Sequence, residues 1–307
     1  MQQDQAFELP IGTVVSNSYE IEAPITQDER CDFYKANHAI AKRMVTVKIL
    51  RRQFVADTST ILRVQFEAKQ LSRLEHKAIP TVYDFGLHDS APFLVMEFFD
   101  GISLENLVQK EGPLSLDCFK DVFKQVANAM QYVHESGIIH TDLKPDCIVI
   151  DRDSDGSAKI KITSFFFSRR AEAPSGLTVA GELTGSPYYM SPEKCQGMLA
   201  DKRSDIYSLG ATMYHALSGG PPFPGDTMVD TMSRHISEQP PQITDDKSSP
   251  LYAMQQMVID KCLEKNPEQR FQSMNELEKA IAGKGPVHKP SATLRGTEKK
   301  KKGWWPF

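Results

Sequence analysis

Apolar and polar positions along the chain follow two different periods, and the change from one to the other marks its organisation. From residue 19 to about 98, the segments "SYEIEAPI", "DFYKANH", "RMVTVKIL", "IPTVYDFG" and "APFLVMEFF" are short and rich in β-branched and aromatic residues, which predicts strands. One helix interrupts them. In "STILRVQFEAKQLSRLEH", Ile61, Val64, Ala68, Leu71 and Leu74 recur at helical spacing. Beyond residue 102 the period becomes helical. "SLDCFKDVFKQVANAMQYVHESG" places Phe119, Val122, Phe123, Val126, Met130 and Val133 on one face, with Ser115 as N-cap and Gly137 as stop. A small β-rich lobe followed by a larger helical lobe is an α+β arrangement, and the cleft between lobes is the natural place for a ligand. No internal repeat is visible.

Composition narrows the classes of function. A chain of 307 residues with 40% apolar content can bury a substantial core. The net charge of −4 gives no reason to expect a nucleic-acid partner. The cysteines (Cys31, Cys118, Cys147, Cys195, Cys262) are odd in number, scattered and without a C-x-x-C pair. That argues against a disulfide framework or a zinc site and fits a reducing cytosol. The N-terminus "MQQDQAFELP" lacks the features of a signal peptide, and no apolar run approaches the roughly 20 residues a spanning helix needs. A cytoplasmic location is therefore expected.

The charge is uneven. From Lys284 onward there are seven Lys/Arg and one Glu, so residues 1–283 carry −10 of the overall −4. The segment 284–307, rich in Pro, Gly and Lys, has no periodic apolar face and reads as a flexible appendage. Its four lysines, 299–302, precede Gly303-Trp304-Trp305-Pro306-Phe307. Clustered lysines are attracted to anionic membranes and tryptophans to the headgroup region, which suggests peripheral membrane contact beside the plainer reading of a solvated tail.

Several motifs occur in a fixed order. The strand Val45-Thr46-Val47-Lys48 ends on a lysine, and Glu67 lies on the helix that follows. His140-Thr141-Asp142-Leu143-Lys144 leads into an apolar strand. "GSPYYMSPE" spans 185–193, "SDIYSLGATMYHALSGGPPF" spans 204–223, and Arg270 lies in "CLEKNPEQRF". Together these resemble the protein kinase family, most closely its bacterial serine/threonine members, over roughly residues 19–282.

The resemblance implies a two-lobed kinase-like domain over 19–283, preceded by an N-terminal extension, 1–18, and followed by the basic tail, 284–307. It implies a Lys48–Glu67 ion pair beside the nucleotide, with Ile25 and Glu97 at further nucleotide-binding positions. Asp142 falls at the catalytic base and Lys144 at its helper, with Ser186 where the family has a threonine touching both. Glu193 and Arg270 stand at a structural ion pair. Asp205 stands where the family accepts backbone hydrogen bonds from the catalytic loop.

The active-site positions depart from the family pattern. Phosphoryl transfer depends on positioning, on magnesium and on a base near the acceptor hydroxyl. Counted back from Phe33-Tyr34-Lys35-Ala36, the phosphate cover reads "TQDERC". Thr26, Asp28 and Cys31 replace its three glycines, and Glu29 fills a site that is often a fourth. A carboxylate about 5 Å from a phosphate charge costs about 3 kcal/mol at an effective dielectric of 20, and Arg30 partly offsets it. The metal-binding Asn position holds Cys147, and the Asp-Phe-Gly position reads Ser164-Phe165-Phe166. A thiol is too soft for magnesium, and a neutral hydroxyl lacks a carboxylate's charge. Phe165 to Phe167 are expected to form a hydrophobic plug near the cleft. Thr141 replaces the arginine that clamps an activation-segment phosphate, which puts switching through Thr178 or Thr184 in doubt. "DRDSDGSAKIKI", 151–162, begins like a calcium loop but has Ile162 at position twelve, and reads as an acidic turn between strands.

The sequence thus leads to the expectation of a pseudokinase that works by binding or regulating protein partners, with weak ATP binding and no bound magnesium. The alternative is a weakly active or unorthodox serine/threonine kinase using Lys48 and Asp142.

Overall fold

The computed structural model describes residues 7–152, 157–165, 168–170, 185–243 and 250–284. The tail beyond Lys284, residues 153–156 of the acidic turn, Phe166, Phe167, Thr178 and Thr184 lie outside the described residues.

The small lobe comprises β1 (Val14–Val15), β2 (Tyr19–Gln27), β3 (Cys31–His38), β4 (Arg43–Leu50), α1 (Thr58–Leu71), β5 (Val82–His88) and β6 (Ala91–Glu97). The strands form one antiparallel sheet in the order β1-β2-β3-β4-β6-β5. Side chains alternate between its faces. One face buries Tyr34, Ala36, Val45, Val47, Ile49, Phe93 and Val95, with Phe7 and Leu9 packed on top. The N-terminal segment is fixed there: Glu8 N–H donates to Asp32 at 3.0 Å and Leu9 N–H to the Tyr34 hydroxyl at 2.9 Å. Residues 7–15 therefore close the outer core of the small lobe. The opposite face carries Phe33, Lys48, Leu94 and Met96, placed by the pairings Phe33–Lys48 and Lys48–Leu94. It meets α1 and the large lobe, because Leu94, Met96, Ala68 and Leu71 share one core with large-lobe residues.

Helix α1 starts at Asp57, whose side chain accepts from Ser59 N–H at 3.0 Å. Its inner stripe buries Val64, Ala68 and Leu71 together with Glu67. Leu74 lies beyond the helix end, yet is also buried.

The large lobe begins with β7 (Ile102–Ser103), α2 (Leu104–Glu111), α3 (Leu116–Glu135) and β8 (Ile138–Ile139). The capping expected for α3 is present. The Ser115 hydroxyl accepts from Cys118 N–H at 3.3 Å, and Gly137 sits just past the helix at φ 75°, a left-handed value that suits glycine. All six apolar positions read from the sequence are fully buried. β9 (Ile148–Arg152) and β10 (Ala158–Ile162) pair antiparallel on either side of the acidic turn, and β11 (Arg169–Arg170) pairs with β8. Then follow α4 (Pro192–Cys195), α5 (Lys202–Ser218), α6 (Met228–Ser237), α7 (Pro250–Cys262) and α8 (Met274–Ile281). Helix α5 is buried on all sides from Ser204 to Leu217, as its weak amphipathic pattern requires. No helix among the described residues is long and apolar enough to cross a membrane.

Candidate active site

The site forms where the inner face of the small-lobe sheet meets the loop between β8 and β9. Lys48, on β4, reaches Glu67 of α1 with Nζ 2.7 Å from Oε2, and both side chains are 1% exposed. Burial by itself pushes the Lys48 ammonium toward neutrality. Glu67, Cys31 and Asp28 outweigh it and raise the pKa above the usual lysine value, so the amine stays charged. The Phe33 ring lies beside it, 5.3 Å from Nζ to the centroid.

The phosphate cover is a tight turn between β2 and β3. Asp28 N–H donates to the Cys31 carbonyl at 3.0 Å. Asp28 Oδ1 accepts from Arg30 N–H at 2.8 Å and from Cys31 N–H at 2.6 Å, an Asx-type arrangement. Its Oδ2 is turned inward, 3.9 Å from Lys48 Nζ. Arg51 fastens the turn from behind, donating to the Asp28 carbonyl and, at 2.8 Å, to Asp32, which also receives the Tyr34 hydroxyl and Glu8 N–H. Glu29 points outward, 70% exposed, and pairs with Arg30 at 3.2 Å.

The large-lobe loop hangs from Asp205 on α5. Its carboxylate accepts from His140 N–H at 2.9 Å, Thr141 N–H at 2.8 Å and His134 Nε2 at 2.8 Å. These bonds hold Thr141 at φ 66°, a strained conformation for a β-branched residue. Asp142 Oδ1 accepts from Ser186 N–H at 3.1 Å, and Lys144 Nζ lies 3.8 Å from Oδ2. The Ser186 contact is thus made by its backbone. Gly185 passes so close that an added Cβ would meet Asp142 Oδ1 at 2.6 Å. Lys194 donates to the Thr141 carbonyl from the other side. Burial lowers its pKa, opposed by Asp142 and Asp205. Its role was not legible in the sequence; its place directly after Glu193 was the available signal.

Neither family metal-ligand position carries a carboxylate or an amide. Cys147 is fully buried with Sγ 3.4 Å from the Asp142 carbonyl, and burial pushes its thiol up to about 12. It is a protonated hydrogen-bond donor, not a thiolate. Ser164 sits at φ 65°. Among the described residues no cluster of three or more His, Cys, Asp or Glu side chains could hold a metal ion.

The structure also places three other residues singled out from the sequence. Phe165 does not plug the cleft: it is fully buried in the shared core and packs on His140 with centroids 4.6 Å apart. The Glu97 carboxylate turns to Lys161 Nζ at 2.7 Å and Thr81 N–H at 3.2 Å, which occupies it on β10 and the start of β5. Ile25 lies at an irregularity of the β2–β3 pairing and is 46% exposed.

Behind the site, Arg270 grips Glu193 with two hydrogen bonds of 2.9 and 2.8 Å, anchoring the segment that carries Gly185 and Ser186.

Comparison with known proteins places this architecture. The protein kinase domain family matches residues 19–280. The chain is 34% identical over 269 residues to a probable serine/threonine-protein kinase of Clostridium acetobutylicum, covering 87% of this chain and 40% of that protein. It is 34% identical over 268 residues to the serine/threonine-protein kinase PknB of Mycobacterium tuberculosis, covering 86% and 42%. It is 31% identical over 271 residues to the serine/threonine-protein kinase PrkC of Bacillus subtilis, covering 88% and 41%. The chain thus spans less than half the length of these curated relatives. With the two lobes, the Lys48–Glu67 pair, the Asp142 loop and the Glu193–Arg270 clamp in the family's order, the chain belongs to the protein kinase domain family.

Proposed function

We propose that this chain is a pseudokinase of the serine/threonine type, which keeps the kinase fold and a nucleotide cleft and acts by binding or regulating protein partners. The observation that carries this reading is the donor set at the metal positions. A buried protonated thiol at Cys147 and a neutral hydroxyl at Ser164 do not fit magnesium, which takes hard, preferably charged oxygens. Nucleotide binding is accordingly weak and independent of magnesium, and rests on Lys48 and apolar contacts. Lys48 stays charged, held by Glu67. Asp142, fixed by Ser186 N–H and Lys144, supports the second reading, a weakly active kinase using Lys48 and Asp142.

Radiolabelled autophosphorylation with magnesium or manganese separates the two. No incorporation above an Asp142→Asn control is expected; incorporation that Asp142→Asn abolishes would establish the second reading. The tail supports a further proposal on sequence grounds alone: four lysines and two tryptophans fit peripheral contact with an anionic membrane. Cosedimentation with phosphatidylserine vesicles should fall on deleting residues 297–307, and unchanged binding would remove the idea.

A further inference from the structure

The cover turn does more than lack glycines. Asp28 brings a second carboxylate to Lys48, 3.9 Å from the ammonium that Glu67 holds at 2.7 Å. We propose that Asp28 is a built-in anion at the phosphate end of the cleft, so that the site takes an uncharged purine nucleoside in preference to a nucleoside triphosphate. This rests on the reading above, that the cleft binds its ligand without a metal.

Three observations support it. First, Asp28 is fixed rather than free to swing away. Its Oδ1 accepts two backbone N–H groups, and moving the carboxylate into water would strand both. The backbone beneath it is tied by Arg51 to Asp32, and Asp32 in turn to Tyr34 and to the N-terminal strap at Glu8. A glycine-rich cover could move aside for a phosphate; this one is tied through Arg51 to the Asp32 network. Second, Lys48 already faces two carboxylates, while Lys144 is engaged with Asp142. An arriving polyphosphate finds Lys48 and Lys144 already paired and, among the described residues, no metal donor set to offset its charge. Third, the charges at the far end of the cleft, Glu97 and Lys161, are paired with each other at 2.7 Å. The sheet register puts Thr46 and Met96 on the same face as Phe33, and Val149 on β9 is only partly buried below. These are contacts for a base and sugar, with Glu97 removed from competition by Lys161.

Glu29 differs from Asp28 although both stand on the cover. It is 70% exposed and paired with Arg30, so solvent and Arg30 screen it. The selectivity falls on Asp28.

The test is titration calorimetry on the full chain in EDTA with adenosine, ATP and inorganic tripolyphosphate as probes. The unmodified protein should bind adenosine at least as tightly as ATP, and tripolyphosphate not measurably. Asp28→Asn keeps the side-chain acceptor of the turn and removes the charge. It should tighten ATP and tripolyphosphate about 10- to 100-fold, the range expected for removing one charge near a phosphate, and leave adenosine within about twofold. Asp28→Ser, which also keeps an acceptor, should act in the same direction, and Glu29→Gln should change ATP affinity by less than about threefold. The inference is overturned if the unmodified protein prefers ATP, if Asp28→Asn shifts adenosine as much as ATP, or if adenosine binds to none of the forms. A preference for ATP without phosphotransfer would sink this inference alone. Phosphotransfer in the autophosphorylation assay would instead strike the pseudokinase reading.

Discussion

Restoring the metal ligands is the most direct perturbation of this site. Ser164→Asp and Cys147→Asn, made together, return a carboxylate and an amide oxygen to the two positions. The structure favours the exchange. Ser164 lies at φ 65°, a left-handed conformation that Asp tolerates better than most side chains, so the backbone need not change. Cys147 already donates to the Asp142 carbonyl at 3.4 Å, and an Asn amide can keep that bond. In the unmodified protein, ATP should give the same thermal stabilisation with and without magnesium. In the double variant, a tenfold gain in ATP affinity on adding magnesium corresponds to about 1.4 kcal/mol. At saturating ligand this adds directly to stability, and each kcal/mol moves Tm by about 2–4 °C for domains approaching this size, so about 3–6 °C is expected. The gain stays short of a full nucleotide grip because Asp28 remains on Lys48. Differential scanning fluorimetry with ATP, with and without magnesium, reads the effect. A magnesium-dependent shift of that size in the unmodified protein, abolished by Lys48→Ala, would refute the reasoning and favour the active-kinase reading.

Two further predictions concern the frame around the site. Arg270 uses its guanidinium on Glu193 and on the carbonyls of Glu264, Arg203 and Lys265, so Arg270→Met leaves the buried Glu193 carboxylate without its cation, with only the Ser204 hydroxyl still donating to it, and removes three bonds to carbonyls. Urea unfolding should show a loss of about 3–5 kcal/mol, and a loss under about 1 kcal/mol would contradict the buried-pair argument. His235 is held neutral by burial and by Lys265, its pKa lowered from 6.5 to about 3, with the Tyr207 hydroxyl and the Tyr188 carbonyl on its two ring nitrogens. The unfolded chain takes up this proton near pH 6.5 and the folded chain only near pH 3, so stability present above pH 6.5 is lost as pH falls through that window. The slope is about 1.4 kcal/mol per pH unit for this group, and His235→Gln should flatten the fall measured by urea midpoints between pH 7 and 5.

The lobes, the order of elements and most site positions are legible in the chain because they depend on local periods and on short motifs. The strand-rich start, the buried stripe of α3 with its Ser115 cap and the unbroken burial of α5 follow from apolar spacing, which neighbouring residues set among themselves. Lys48, Glu67, Asp142, Glu193 and Arg270 could be named because each sits at a fixed offset within a recurring motif. The losses at Cys147 and Ser164 were legible for the same reason. What the sequence could not decide was where side chains point once distant segments meet. Asp28 and Glu29 are adjacent carboxylates with the same formal charge, and only the folded turn sends one to Lys48 and the other to solvent. Phe165 joins the core on His140, Glu97 turns to Lys161, and Lys194 reaches Thr141 through contacts 25, 64 and 53 residues apart in sequence. Charge and hydrophobicity are properties of a residue, but desolvation and pairing belong to the place it occupies, and that place exists only when segments distant in sequence have packed together.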